Sequence, residues 1–283
     1  MNKLEKRDGN VIVRILIYAV CIFFALLSIW PFLVMVVNAT RSTSQIQQHA
    51  VSLIPSKYLL RNWAVFAGKS FNPQTGLLNS AMISTGSTIL TIYFSTLTAY
   101  AIVAYEWKMK NAFYTMILCV MMIPPTIVSI GFYQFMYKLG MANSALALII
   151  PSIAAPSSVF FMRQFMLSSL PLEILDSARI DGSREFHTFN RIALPIMKPA
   201  MATQGIFTFV TTWNQLFLPS LLLTKDAKKT LPVMVSMLKG DIYKTEYGTV
   251  YLGLTLTVLP LFIVYFSLSR YIIAGVALGG VKG

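Results

Sequence analysis

The chain has 283 residues, of which 56% are apolar and only 12% charged, against about 25% charged in a soluble globular protein, so lipid is its expected solvent. Its net charge of +13 does not point to nucleic acid, because Lys and Arg lie in short segments between apolar runs and form no contiguous basic face. Cys21 and Cys119 both fall inside apolar runs without metal-ligand spacing, which predicts free, buried thiols and no disulfide.

Lys3, Lys6 and Arg7 precede an apolar stretch from about 11 to 37. This is the outline of a signal peptide, but the stretch is too long and lacks a small-residue cleavage site, so it predicts a retained first span. Further stretches with the roughly 20 apolar residues that a span requires follow at 77–105, 112–136, 143–165, 197–223 and 247–274. Together these runs predict an all-α, polytopic membrane protein with six transmembrane helices, a single domain over 1–283, and both termini on one side. Arg14, Lys108, Lys110, Arg163, Lys198 and Arg270 lie close to span ends on the N-terminal side, which the positive-inside rule makes cytoplasmic.

Between the first two runs, Asn38-Ala39-Thr40 has the form of a glycosylation sequon, and Gly68-Lys69-Ser70 echoes the end of a phosphate-binding loop. Trp63 stands where the first Gly of that loop belongs, and Asn72-Pro73 follows where its helix should open; both count against nucleotide binding. Pro124-Pro125, Pro151, Pro156 and Pro260 fall at membrane depth, where freed backbone carbonyls need a neighbouring helix or a water-filled cavity. Ordinary kinks and the lining of a pathway are both open readings.

Every acidic residue lies outside the middle of a span, as do His49 and His187. A proton- or sodium-driven carrier needs an ionisable group near the bilayer centre, and catalysis needs several gathered in one pocket. No catalytic residue, metal site or cofactor is therefore expected. The chain is either a passive channel or facilitator, or it is driven by a partner docked outside the bilayer.

The segment 166–196 carries the most local information. Pro171 suits a first helical turn, Glu173 complements its dipole, and Gly182 suits a left-handed C-terminal cap. Ser183 is placed to cap a second short helix with Phe186, Phe189 and Ile192 on one apolar side, ended by Leu194-Pro195. Such an elbow either transmits a push between subunits or lies on lipid headgroups. The later segment 224–246 reads as a Lys-rich outside loop, and Asn79, Gln134, Trp213, Asn214 and Tyr251 are polar or aromatic groups within or near spans.

Asp176-Ser177-Ala178, Asp181-Gly182 and Leu194-Pro195 resemble the EAA loop of ATP-binding cassette importer permeases, with Asp176 in place of Glu and Ser177 in place of Ala. Asn79-Ser80, Ala99-Tyr100-Ala101, Ile123-Pro124, Trp213-Asn214 and the tail Ala274 to Gly283 resemble the carbohydrate branch, the group similar to the smaller maltose permease subunit. The resemblance implies a multi-pass protein of a prokaryotic plasma membrane that pairs with a second permease subunit, two ATP-hydrolysing subunits and an extracytoplasmic sugar-binding protein, and carries a carbohydrate, an oligosaccharide above all. It implies that Asp176, Ser177, Ala178, Asp181, Gly182 and Ser183 meet the ATPases. It likewise assigns Ser236, Met237, Leu238, Lys239 and Gly240 to the binding protein, whereas Asn79, Gln134, Trp213 and Asn214 are read as pathway candidates from their polar and aromatic chemistry alone.

Overall fold

In a computed structural model, residues 11–68, 72–239 and 245–280 are described, and they form helices and connecting segments without a strand. In chain order the helices are α1 (Val11–Ala39), α2 (Thr43–Gln48), α3 (Leu59–Gly68), α4 (Pro73–Ala104), α5 (Lys110–Met121), α6 (Pro125–Lys138), α7 (Leu146–Ile149) and α8 (Pro156–Ser169). They continue with α9 (Leu172–Ile180), α10 (Glu185–Thr188), α11 (Leu194–Ile196), α12 (Lys198–Trp213), α13 (Phe217–Leu222), α14 (Leu231–Met237) and α15 (Tyr247–Gly280).

Among the described residues, four helical stretches are long and apolar enough to cross a bilayer: Val13–Ala39, Pro73–Ala104, Leu146–Ser169 and Tyr247–Ser267. A fifth is reached if α5 and α6, bent by 97° at their junction, count as one broken span. The bend falls at Pro124-Pro125, where Pro125 has no N–H to continue the helix and instead opens the next one. The expected span 197–223 is not one helix. α12 has 16 residues, about 24 Å at 1.5 Å per residue against a core of about 30 Å. It ends in a turn at Asn214, whose N–H bonds Val210 O, before Pro219 enters the short α13.

The chain divides into two compact units, residues 1–68 with 238–256 and residues 69–237 with 257–283, the division falling within α15. In the first unit, α1 presents its apolar side chains outward, Ile15, Leu16, Phe23 and Leu26 among them. Its far end is fastened by the buried Arg41, whose Nη1 donates to Asn38 Oδ1 (3.0 Å) and His49 O (2.7 Å) and whose Nη2 donates to Gln45 O (2.9 Å). Ser42 and Gln45 form a reciprocal capping box on α2. Asn62 of α3 donates to Ala39 O and Arg41 O, while Glu246 accepts from Thr43 and approaches Arg61 at 3.8 Å. Asn38 is fully buried and its Nδ2 donates to Ala50 O, so the sequon's amide nitrogen is inaccessible to a glycan.

The second unit is built around α4, which packs against α8, α12 and α14. Hydroxyl residues recur on its buried side at Ser80, Ser84, Ser87, Thr91 and Ser95, small enough for helices to approach closely in lipid. α4 opens at Pro73, with Asn72 Oδ1 accepting from the Gln74 and Thr75 N–H groups. Asn72-Pro73 thus starts a helix, which corrects that part of the case against a phosphate loop; Trp63 in place of Gly still stands against it. Cys21 and Cys119 are free but exposed on the chain surface rather than buried, on helices α1 and α5 that turn apolar side chains outward.

Candidate functional site

The elbow begins at Pro171 and its first helix, α9, stops where the sequence demands. Gly182 has φ +79°, Ser183 N–H bonds Ala178 O at 2.9 Å and Gly182 N–H bonds Arg179 O at 3.0 Å, the crossed pair of a Schellman cap that a Gly admits without strain. Leu175 turns inward into a core with Ile92, Tyr100, Val103, Met162, Met166 and Phe189, and Ala178 is buried on the same helix. Asp176, Ser177, Asp181 and Gly182 stay exposed, and so do the apolar Ile180 at 87% and Phe186 at 66%.

Three expectations for the second arm change. Ser183 does not cap α10, which has no side-chain cap; its Oγ accepts from the Thr188 hydroxyl at 2.8 Å instead. Phe186 points away from the core that holds Phe189 and Ile192. Leu194-Pro195 does not end the arm, because a π turn over Phe189–Ala193 precedes it and carries the helix on through α11; the wider turn tolerates the missing proline N–H.

Arg179 is the electrostatic centre of the elbow. It donates to Asp176 Oδ1 (2.9 Å), to Glu185 Oε1 (2.9 Å) and to Ala104 O at the end of α4 (3.2 Å), and it lies 5.3 Å from the Tyr105 ring centroid. The Tyr105 hydroxyl donates to Glu185 Oε2 at 2.5 Å. Arg179 and then Tyr105 hold the Glu185 carboxyl below the usual carboxylate range. The hydrogen bond to Glu185 raises the Arg179 guanidinium above its already high value. Partial burial, reinforced by the Glu185 carboxylate, pushes the Tyr105 phenol up, so it stays a donor.

A second feature is an open cleft of about 660 Å³, lined by Pro125, Pro151 and Pro156 together with Ser129, Thr212 and Gln215. The proline breaks in 146–169 leave backbone carbonyls exposed, and α4 answers them: Ser87 Oγ donates to Leu148 O (3.4 Å) and Thr91 Oγ1 to Ser152 O (2.8 Å). Ser152 Oγ returns a bond to Ser87 O (3.2 Å). Neighbouring hydroxyls therefore satisfy these freed groups, as a membrane interior requires.

The elbow residues Asp176, Ser177, Ala178, Asp181, Gly182 and Ser183 lie together, with Ala178 on the inward face. The residues read as pathway do not converge. Asn79 Nδ2 is committed to Ala227 O and Lys229 O, both at 3.0 Å, and the buried Trp213 donates to Thr257 O at 3.0 Å while stacking on Phe209. Gln134 and Asn214 are exposed, and none of the four lines the cleft. In the segment read as a loop, α14 buries Leu231, Val233 and Met234. Ser236 is half-buried with its hydroxyl on Val233 O, Met237 and Lys239 are exposed, Leu238 is buried, and Gly240 lies outside the described residues.

Residues 91–277 match the family described as binding-protein-dependent transport system inner membrane component. The chain belongs to this family. It is 34% identical to the arabinooligosaccharides transport system permease protein AraQ of Halalkalibacterium halodurans, over 92% of this chain and 94% of the relative. It is 33% identical to the lactose transport system permease protein LacG of Rhizobium radiobacter, over 94% and 95%. The sn-glycerol-3-phosphate transport system permease protein UgpE of Yersinia pestis is 30% identical, over 96% and 98%. A crystal structure of a bacterial ABC transporter involved in the import of the acidic polysaccharide alginate shares the fold, with a TM-score of 0.77 at 21% identity over 94% of this chain and 98% of that one. These names span several solutes, so the similarity identifies a permease of the family and not a maltose-type branch within it. The role is transport rather than catalysis.

In this permease, sequence reasoning missed Arg179, Glu185 and Tyr105. Arg179 three residues after Asp176 and six before Glu185 was a visible charge pattern, but its contact with Ala104, 75 residues earlier, left no local trace.

Proposed function

We propose that the chain is one of two membrane subunits of an ATP-driven importer that takes up carbohydrate, an oligosaccharide such as those named for its relatives. In this reading it has six spans in a prokaryotic plasma membrane with both termini cytoplasmic, pairs with a second permease and two ATP-hydrolysing subunits, and receives solute from an extracytoplasmic binding protein. The two compact units act within one permease domain, 1–283. The elbow α9-Gly182-α10 is the coupling segment: Asp176, Ser177, Asp181 and Gly182 form the outward contact, while Ala178 and Ser183 brace it from within. Ser236, Met237, Leu238, Lys239 and Gly240 meet the binding protein, and the proline-lined cleft is the wall this subunit gives to the pathway.

The observation that carries this reading is the elbow itself, a helix closed by a left-handed Gly, seated on the core through Leu175 with Ala178 also buried, and with an exposed face that its own unit leaves unused. In the complete transporter reconstituted in liposomes, Gly182→Pro should reduce uptake to background and abolish the stimulation of ATP hydrolysis by the binding protein. Normal uptake by that variant, or uphill transport by the purified chain alone, rejects the reading.

A further inference from the structure

We propose that Arg179 is a positioning residue that ties the elbow to the end of α4, so that a displacement of α9 in either direction reaches the bundle as a displacement of α4. The inference rests on the coupling role of the elbow.

Two kinds of contact join α9 to the rest of the unit. The apolar one, Leu175 in the cluster that holds Tyr100, Val103 and Phe189, is non-directional. It resists compression, but it leaves α9 able to turn about its own axis and to lift away. Arg179 supplies the directional contact. Its planar guanidinium fork reaches three places at once: Asp176 on its own helix, Glu185 on the second arm, and Ala104 O where α4 ends. Ala104 O is among the carbonyls that a helix end leaves without an intrahelical partner, at the negative pole of the α4 dipole, which a cation favours.

The other groups around the fork close the arrangement. Tyr105, the residue after α4, lies against the guanidinium and donates to Glu185 Oε2. Tyr100, one turn earlier on α4, approaches the same oxygen at 3.5 Å. Both arms of the elbow and the last turn of α4 are thus bonded through one Arg–Glu pair, and charge-assisted bonds of fixed geometry transmit a pull as well as a push. A lysine retains the charge without the fork, and would reach one of these partners at a time.

The test uses the complete transporter in liposomes, with both permeases, the ATPases and the binding protein, and reads ATP hydrolysed per solute moved. Arg179→Met should raise that ratio about tenfold, equivalent to about 1.4 kcal/mol between coupled and uncoupled turnover. Arg179→Lys should recover only part of the loss, and Tyr105→Phe, which keeps the ring and removes one bond to Glu185, should raise the ratio less. A wild-type ratio in Arg179→Met, or full recovery by Lys, overturns the tie. If Gly182→Pro still uncouples while Arg179→Met does not, the tie alone falls; if neither uncouples, the coupling role falls as well. Should Arg179→Met fail to assemble with its partners, Glu185→Gln and Tyr105→Phe take its place, and wild-type ratios in both overturn the proposal.

Discussion

Gly248→Ala places a methyl group where the structure has no room for one. A Cβ built on Gly248 would lie 2.2 Å from Arg41 O and 2.5 Å from Asn62 Nδ2. Neither neighbour is free to move: Asn62 Nδ2 already donates to Arg41 O at 3.0 Å and to Ala39 O at 2.8 Å. Overpacking costs about 1–3 kcal/mol, and displacing the Asn62 amide weakens two bonds of about 1 kcal/mol each. The summed loss is about 3 kcal/mol. Gly131→Ala is the control, because nothing lies within 4 Å of its Cβ position and an Ala inside α6 stabilises by up to about 1 kcal/mol. Melting followed by tryptophan fluorescence in detergent should show Gly248→Ala several degrees below the parent and Gly131→Ala at or above it. A Gly248→Ala protein that melts with the parent would refute the claim that α3, the Arg41 loop and the start of α15 are locked around this glycine.

Gly182→Ala should destabilise the elbow by about 1–2 kcal/mol, the cost of a left-handed residue bearing a Cβ, with Gly182→Asn milder; limited proteolysis within 166–196 reads this, and equal cleavage of the two variants counts against the cap. Glu185 titrates below its ordinary value because of Arg179 and Tyr105, so its contribution is complete above an unfolded value of about 4.3 and disappears as pH falls through the lower folded value. Melting curves recorded down to about pH 3 should show that loss in the parent and not in Glu185→Gln. Thr91→Val removes the hydroxyl bonded to Ser152 O and keeps the shape, and should cost about 1 kcal/mol or more in the same melting assay.

The long spans were legible because lipid dictates their composition over some twenty consecutive residues. The same averaging passes over interruptions: a window over 112–136 sums α5 and α6, and there Pro124-Pro125 itself announced the break, but one over 197–223 sums α12, the Asn214 turn and α13, and that break went unread. α9 and its stop were legible because Pro171 and Gly182 act on their own backbone. The second arm was not, since burying Phe189 and exposing Phe186 depends on where α4 lies, and the π turn shifts the register that a three-residue spacing presumes. Asn79 and Trp213 looked like solute ligands for their chemistry alone. Their hydrogen bonds to Ala227, Lys229 and Thr257 are contacts between distant segments, and no short motif announces those.

On the proposed reading of the cleft as a pathway wall, the pairing of α4 hydroxyls with the broken segment bears on how a solute would be held there. A helix interrupted at two prolines would ordinarily offer a passing polyol a row of bare carbonyls to grip. Here Ser87 and Thr91 occupy Leu148 O and Ser152 O beforehand. Two of the groups that could grip a solute are thereby taken, and a conduit that clasps its cargo weakly is one the cargo can leave.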